Sequence, residues 1–285
     1  MKRQLSFRRK AVNAIMLSAT GVCTLLSIGA LFFILGFLLV QGGKFLSWDF
    51  LTKLPVPVGE TGGGMANAIV GSGKILLIAT VIGVPIGFLA GVYLAEYGNV
   101  AFSSVIRFVT DLLNGVPSIV MGIFIYTFIV LKMKHFSAFA GGVALGIMMI
   151  PIALRSTEEF LRAVPVSLRE GAMALGAAKW KSVATVVIPA AINGIISGMM
   201  LNLARVAGET APLLFTALSN QFWSPGWNQP TASLPAMIYT YAIAPYPEWH
   251  QQAWAAGFVL LAMVFIVNIA ARVIIAPGMA HKARL

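Results

Sequence analysis

Apolar residues run in long stretches along this chain, and polar, glycine- or proline-bearing breaks separate six of them: residues 14–40, 65–95, 112–131, 138–154, 190–217 and 253–276. A helix needs about 20 apolar residues to cross the hydrocarbon core of a bilayer, and within it must satisfy its own backbone N–H and C=O groups. Each stretch therefore predicts a transmembrane helix. The first and last are almost free of charge, whereas the fourth is short and contains Pro151. The expected fold class is all-α, a polytopic transmembrane helical bundle of six spans. Its expected organisation is a basic tail at 1–13, a first helix and outer loop at 14–64, a core transmembrane domain at 65–276 and a second tail at 277–285. The core includes a long inner loop at 155–189.

Composition agrees with that pattern. Of 285 residues, 59% are hydrophobic and 10% charged, and the mean hydropathy is +0.87, far from the roughly 25% charged content of soluble domains. Positive charge then orients the spans. With the N-terminus inside, fourteen Lys and Arg fall on the inner side: Lys2, Arg3, Arg8, Arg9, Lys10, Arg107, Arg155, Arg162, Arg169, Lys179, Lys181, Arg272, Lys282 and Arg284. Four fall outside: Lys44, Lys53, Lys132 and Lys134. Both termini are expected in the cytoplasm. The net charge of +11 is accounted for by this retention, so membrane lipid and not nucleic acid is the expected surrounding. The first stretch is too long for the core of a cleavable signal and reads as a retained span.

Metal and disulfide chemistry find no constellation. The single cysteine, Cys23, lies inside the first span, and His135, His250 and His281 are scattered over loops and tail, so no metal site is expected. The two outer loops, 41–64 and 218–252, are rich in turn-formers and aromatics, among them Trp48, Trp223, Trp227 and Trp249. Such residues suit an interfacial aromatic belt, or part of a docking face for an extracytoplasmic partner.

The inner loop is charged and rich in Ala and Gly. Ser167 followed by Glu170 predicts a capping box opening a short helix after Pro165, and the small residues beyond it admit close approach of another surface. Glu170, Gly171 and Ala172, then Gly176, then Pro189 closing an apolar run, resemble the EAA loop of bacterial ABC importer permeases. Gly171 stands where that pattern has Ala. The resemblance implies that this segment is a coupling helix seated on a separate ATPase. "LLNGVPSIVMGIFIY" from Leu112 and "ARVAGETAPLLFTALSNQFW" from Ala204 further resemble the permease subunits of phosphate-specific ABC importers, from about residue 64 onward. That likeness implies a type I importer permease fold in the bacterial inner membrane. It also implies three partners: a second homologous permease subunit, an ATPase dimer and a periplasmic phosphate-binding protein. ATP and Mg would belong to the ATPase, with no cofactor bound by this chain.

Charges inside the spans are the candidate transport residues. Arg205 and Glu209, four apart and joined by Asn202 three residues earlier, are expected on one face of the fifth span. Charges at that depth should face protein or water. They form either a neutral pair locking neighbouring helices or a substrate pathway, in which the Arg205 fork would match phosphate oxygens. Arg107, Asp111, Asn114 and Ser118 recur at i, i+4, i+7 and i+11, predicting a polar stripe on the third span that forms either an inner salt bridge with interhelical hydrogen bonds or a vestibule lining. Lys74 is expected to snorkel toward the outer interface. It ends a "GSGK" string, but Ala68 and Ile75 stand where a P-loop needs Gly and Ser or Thr. No catalytic residue is expected, which sets aside a membrane enzyme. An ion-coupled secondary transporter would need a coupling-ion site and inverted repeats, and none is visible. A permease for another oxyanion or small solute stays open.

Overall fold

The computed structural model describes residues 7–60 and 62–280, with side chains for 8–60 and 62–273. Lys2, Arg3, His281, Lys282 and Arg284, assigned above to the inner side or the tail, lie outside the described residues. The described residues are helical, in the order α1 (Phe7–Phe45), α2 (Trp48–Thr52), α3 (Ala66–Val92), α4 (Val100–Gly115), α5 (Ser118–Ile125), α6 (Leu131–Met133), α7 (Ala138–Arg162), α8 (Val166–Ala174), α9 (Lys179–Ser182), α10 (Ile188–Ala207), α11 (Ala211–Thr216), α12 (Leu234–Ile243) and α13 (Pro247–Ala280). One-turn π segments extend α3 (Tyr93–Tyr97), join α5 to α6 (Tyr126–Val130) and join α9 to α10 (Val183–Val187). Five helical runs are long and apolar enough to cross a membrane, and α4 with α5–α6, which meet at a bend of 99°, makes a sixth where the bent pair is counted as one span.

Small residues let the core form. Gly83, Gly87 and Gly91 repeat every four residues along one face of α3, and α7 answers with Gly142 and Gly146. With no Cβ between them the two backbones approach closely, which is how apolar helices associate where lipid removes the hydrophobic drive. Around this seam Ile75, Ala79, Leu145, Met149, Leu203 and Val206 make one buried cluster, and Ala153, Leu161, Val187, Ala191 and Ile195 continue it toward the other end. On α10, Gly194 receives the ring of Phe160. α1 stands apart. It meets α13 near one end, with Phe37 edge-on to Trp254 at 5.0 Å, and leaves most of its apolar side chains exposed.

Proline and glycine break the spans where the sequence pattern had run them together. The third expected span is two helices, because Pro117 has no N–H for the preceding turn and holds Val116 extended at φ −69°, ψ 126°. Ser118 therefore starts a new helix and does not continue the stripe of Arg107, Asp111 and Asn114. The fifth span ends at Ala207, after which Gly208, Glu209 and Thr210 lead into α11, whose Pro212 could not supply the bond a continuous helix needs. Glu209 is thus not on the helix that carries Arg205. The inner loop is shorter than 155–189, since α7 runs on to Arg162 and helix resumes at Lys179. Similarly the last span starts at Pro247, and α12 occupies part of the outer loop.

Lys74 does reach toward the outer loop, but it is held there. Its ammonium donates to the carbonyls of Ser224 (2.7 Å), Pro225 (3.1 Å) and Gly226 (3.4 Å). The same loop caps α7, whose Ala138 and Phe139 N–H groups bond to the Gln229 and Trp227 carbonyls, each at 3.0 Å. Asn67 adds a bond to the Asn220 carbonyl at 2.7 Å. The segment is a fitted cap over the ends of α3 and α7.

Candidate functional site

The two backbone breaks meet. The kink between α4 and α5, the middle of α7 and the end of α10 enclose a cavity of about 200 Å³, and Asn114, Ser118, Arg205 and Glu209 all line it, with Met148 and Ile152 as its apolar wall. Ile152 is fourteen residues from the start of α7 and ten from its end, or about 21 and 15 Å along the axis at 1.5 Å per residue. The polar groups therefore sit beside the middle of α7, close to where its apolar part, 138–154, gives way to its charged end. The α5 N-terminus opens on the same cavity through Pro117 and Ser118, adding the positive end of a helix dipole. Arg205 also borders a larger cleft of about 660 Å³ lined by Arg155, Ser156, Glu159 and Asn202. It stands between the cavity at the kink and the charged end of the bundle.

Of the two alternatives for Arg205 and Glu209, the neutral pair is not formed. No ion pair joins Arg205 to Glu209 among the described residues, because the helix ends between them. Both face the cavity instead. Asn202 is 1% exposed, and its amide donates to the Met149 carbonyl at 2.9 Å, so its amide nitrogen ties α10 to α7.

The vestibule set divides. Asn114 and Ser118 line the cavity, whereas Arg107 and Asp111 pair with α7 and not with each other. Arg107 meets the buried Glu158 at 2.8 Å, Arg162 meets the same carboxylate oxygen at 3.0 Å, and Arg155 pairs with Asp111. Glu158 was not singled out in the sequence, although an acid four residues before Arg162 at the end of an apolar run was a readable signal.

At the same end α8 is held outside the core, with no buried residue. The predicted capping box is absent: Pro165 occupies the N-cap position and no side chain caps the helix, since proline's fixed φ already presets the entry. Gly176 has a different role from the close packing expected of it. Its φ is +85° and nothing lies within 4 Å of an added Cβ. Its N–H bonds to the Met173 carbonyl at 2.9 Å, and that of Ala177 to the Ala172 carbonyl at 3.2 Å, the paired bonds of a left-handed helix stop. Pro189 is the second residue of α10, just past the π turn, in the first turn of a helix, where a residue without an N–H is tolerated. Glu170 and Gly171 are exposed and Ala172 half-buried. Gly176→Leu is expected to disorder the end of α8 at a cost of about 1–2 kcal/mol, seen as faster proteolysis at 175–178. Gly171→Ala, in open space on the helix, should slow that cleavage.

Residues 83–279 match the family of binding-protein-dependent transport system inner membrane components. The chain belongs to this family. It is 45% identical over 276 residues to the phosphate transport system permease protein PstA of Yersinia pestis, covering 96% of this chain and 94% of that one. To PstA 1 of Mycobacterium tuberculosis it is 34% identical, over 95% and 91% of the two chains. Two solved structures share the fold. A chain of the bacterial alginate ABC transporter gives a TM-score of 0.61 at 13% identity, covering 94% of this chain and 96% of that one. A chain of the MetNI methionine ABC transporter gives 0.57 at 19%, covering 73% and 91%. The type I importer permease fold expected from the sequence is the fold observed, and family and spans together make this an integral inner-membrane component.

Proposed function

We propose that this chain is one permease subunit of an ATP-driven phosphate importer, forming half of the translocation pathway. The cavity at the kink between α4 and α5 carries the reading: a guanidinium with no ion pair among the described residues, an amide, a hydroxyl and a helix N-terminus converge there, and all can donate to oxyanion oxygens. The names of the relatives support phosphate over other oxyanions. Glu209 keeps the cavity from becoming an anion trap, since conduction needs binding weak enough to release. The exposed α8 meets an ATPase dimer, which supplies the ATP and Mg chemistry. A second homologous permease subunit completes the pathway, and a periplasmic phosphate-binding protein delivers substrate to the fitted outer cap. Both termini lie in the cytoplasm, in keeping with the positive charge at the α8 end.

The test is to purify the chain from its native membrane under mild detergent, identify the co-purifying chains and reconstitute the assembly in vesicles. An ATPase and a second permease should accompany it, and phosphate uptake should require ATP. Uptake that ran without ATP would sink the importer reading. ATP-driven uptake of another oxyanion with none of phosphate would replace the substrate alone.

A further inference from the structure

We infer that Arg169 and Glu96 form a strut that transmits movement of α8 to the transmembrane helices, so that Arg169 acts as a positioning residue for coupling. The inference rests on α8 being the ATPase contact. Val166, Leu168, Met173 and Leu175 are all exposed, so α8 has no apolar face embedded in its own chain. Something else must fix it. Along α8 only Arg169 and Ala172 turn inward, and Arg169 makes the specific bonds. Its Nε and Nη2 donate to Glu96 Oε1 at 3.1 and 2.8 Å, and Nη2 also reaches the Leu161 carbonyl at 2.6 Å.

One guanidinium therefore joins three elements: α8, the π turn closing α3, and the last turn of α7. The bonds are sheltered, with the Arg169 and Glu96 side chains 18% and 5% exposed. Among the described residues Glu96 meets no other cation. A forked, charge-assisted pair is directional, and in a partly dry setting it resists displacement more than a surface pair does. Since α3 and α7 are themselves fused along their glycine seam, a displacement applied to α8 moves both spans as one body. Of the two, α7 carries Met148 and Ile152 into the cavity wall. The arrangement converts a push on a thin surface helix into movement beside Arg205.

The experiment uses the reconstituted complex of permeases, ATPase and binding protein, measuring phosphate imported per ATP hydrolysed beside the amount of ATPase retained. Glu96→Gln keeps shape and an acceptor but removes the charge, and Arg169→Lys keeps charge but loses the fork. Each is expected to lower the transport-to-hydrolysis ratio about tenfold while the ATPase stays bound, a coupling loss within the usual range between sites. An unchanged ratio in both variants overturns the strut, and so does loss of the ATPase, which would make the pair a docking element only. Met173→Asp, on the exposed side of α8, separates the two readings. If it weakens ATPase binding while Glu96→Gln and Arg169→Lys leave the ratio intact, the strut alone fails. If it changes neither binding nor hydrolysis, α8 is not the ATPase contact and both fail.

Discussion

Replacing Gly87 with leucine should abolish the folded permease core. A Cβ at Gly87 would stand 2.5 Å from the Ala153 Cβ and 2.8 Å from the Ile150 carbonyl oxygen. Neither neighbour can swing aside, one being a bare methyl and the other backbone. The same squeeze holds at Gly83, against Met149 and Gly146, and at Gly91, against Thr157 and Leu154, so the seam cannot open at one point without losing contact at the others. Overpacking of this kind costs about 3 kcal/mol or more, and lipid offers the separated helices no hydrophobic penalty to draw them back. Detergent-extracted Gly87→Leu is expected to run as aggregate in size-exclusion chromatography. Gly73→Ala is the control, since it lies on the same helix with nothing within 4 Å of its added methyl. Equal monodisperse yields for the two variants would mean the seam does not hold the fold.

The spans were legible because the bilayer imposes a length and an apolar content that a single sequence displays directly. Their interruptions were harder to place. Pro117 and Pro212 both lie in apolar surroundings, and an apolar run looks the same whether it is one helix or two joined at a kink. Pro151 shows why proline alone does not decide the matter: it sits inside a continuous α7, where packing against α3 and α10 overrides it. The EAA-like segment is a short helix, as its pattern suggested, but its start and the length of its loop, expected to run over 155–189, were not legible. A Ser and a Glu at capping-box spacing compete with a proline that presets the same turn, and here the proline prevails.

The site was half legible for a related reason. Helical periodicity put Arg205 and Glu209 on one face, and Asn114 and Ser118 on another. All four reach the same cavity only because both helices break there. Periodicity sees one element at a time, so it could propose the residues but not their meeting. The ion pairs that bind α4 and α8 to the bundle join residues 44 to 73 positions apart, and no local pattern carries such pairings. Lys74 shows the same limit, since its direction followed from position in the span while its three carbonyl partners lie about 150 residues away.

Arg205→Ala is expected to leave the assembled complex intact and to lower phosphate uptake by about 10- to 100-fold, the range set by losing charged hydrogen bonds of about 1.5–3 kcal/mol. Arg205 makes no ion pair among the described residues and is exposed to the cavity. Its removal therefore leaves no buried partner charge stranded, the situation that makes truncating a buried pair so destabilising. Arg205→Lys keeps the charge but not the fork, and should fall between wild type and Ala. Glu209→Ala tests the second half of the argument. With the opposing carboxylate gone the cavity should hold phosphate longer, so uptake slows at high phosphate while half-saturation shifts to lower concentration. The double variant Arg205→Ala with Glu209→Ala should assemble as well as wild type and still fail to transport. Poor assembly of Arg205→Ala, restored by the second substitution, would instead show that the two residues lock the helices and do not face the anion. Normal uptake in Arg205→Ala would remove Arg205 from the pathway altogether, and the cavity would then have lost its only guanidinium.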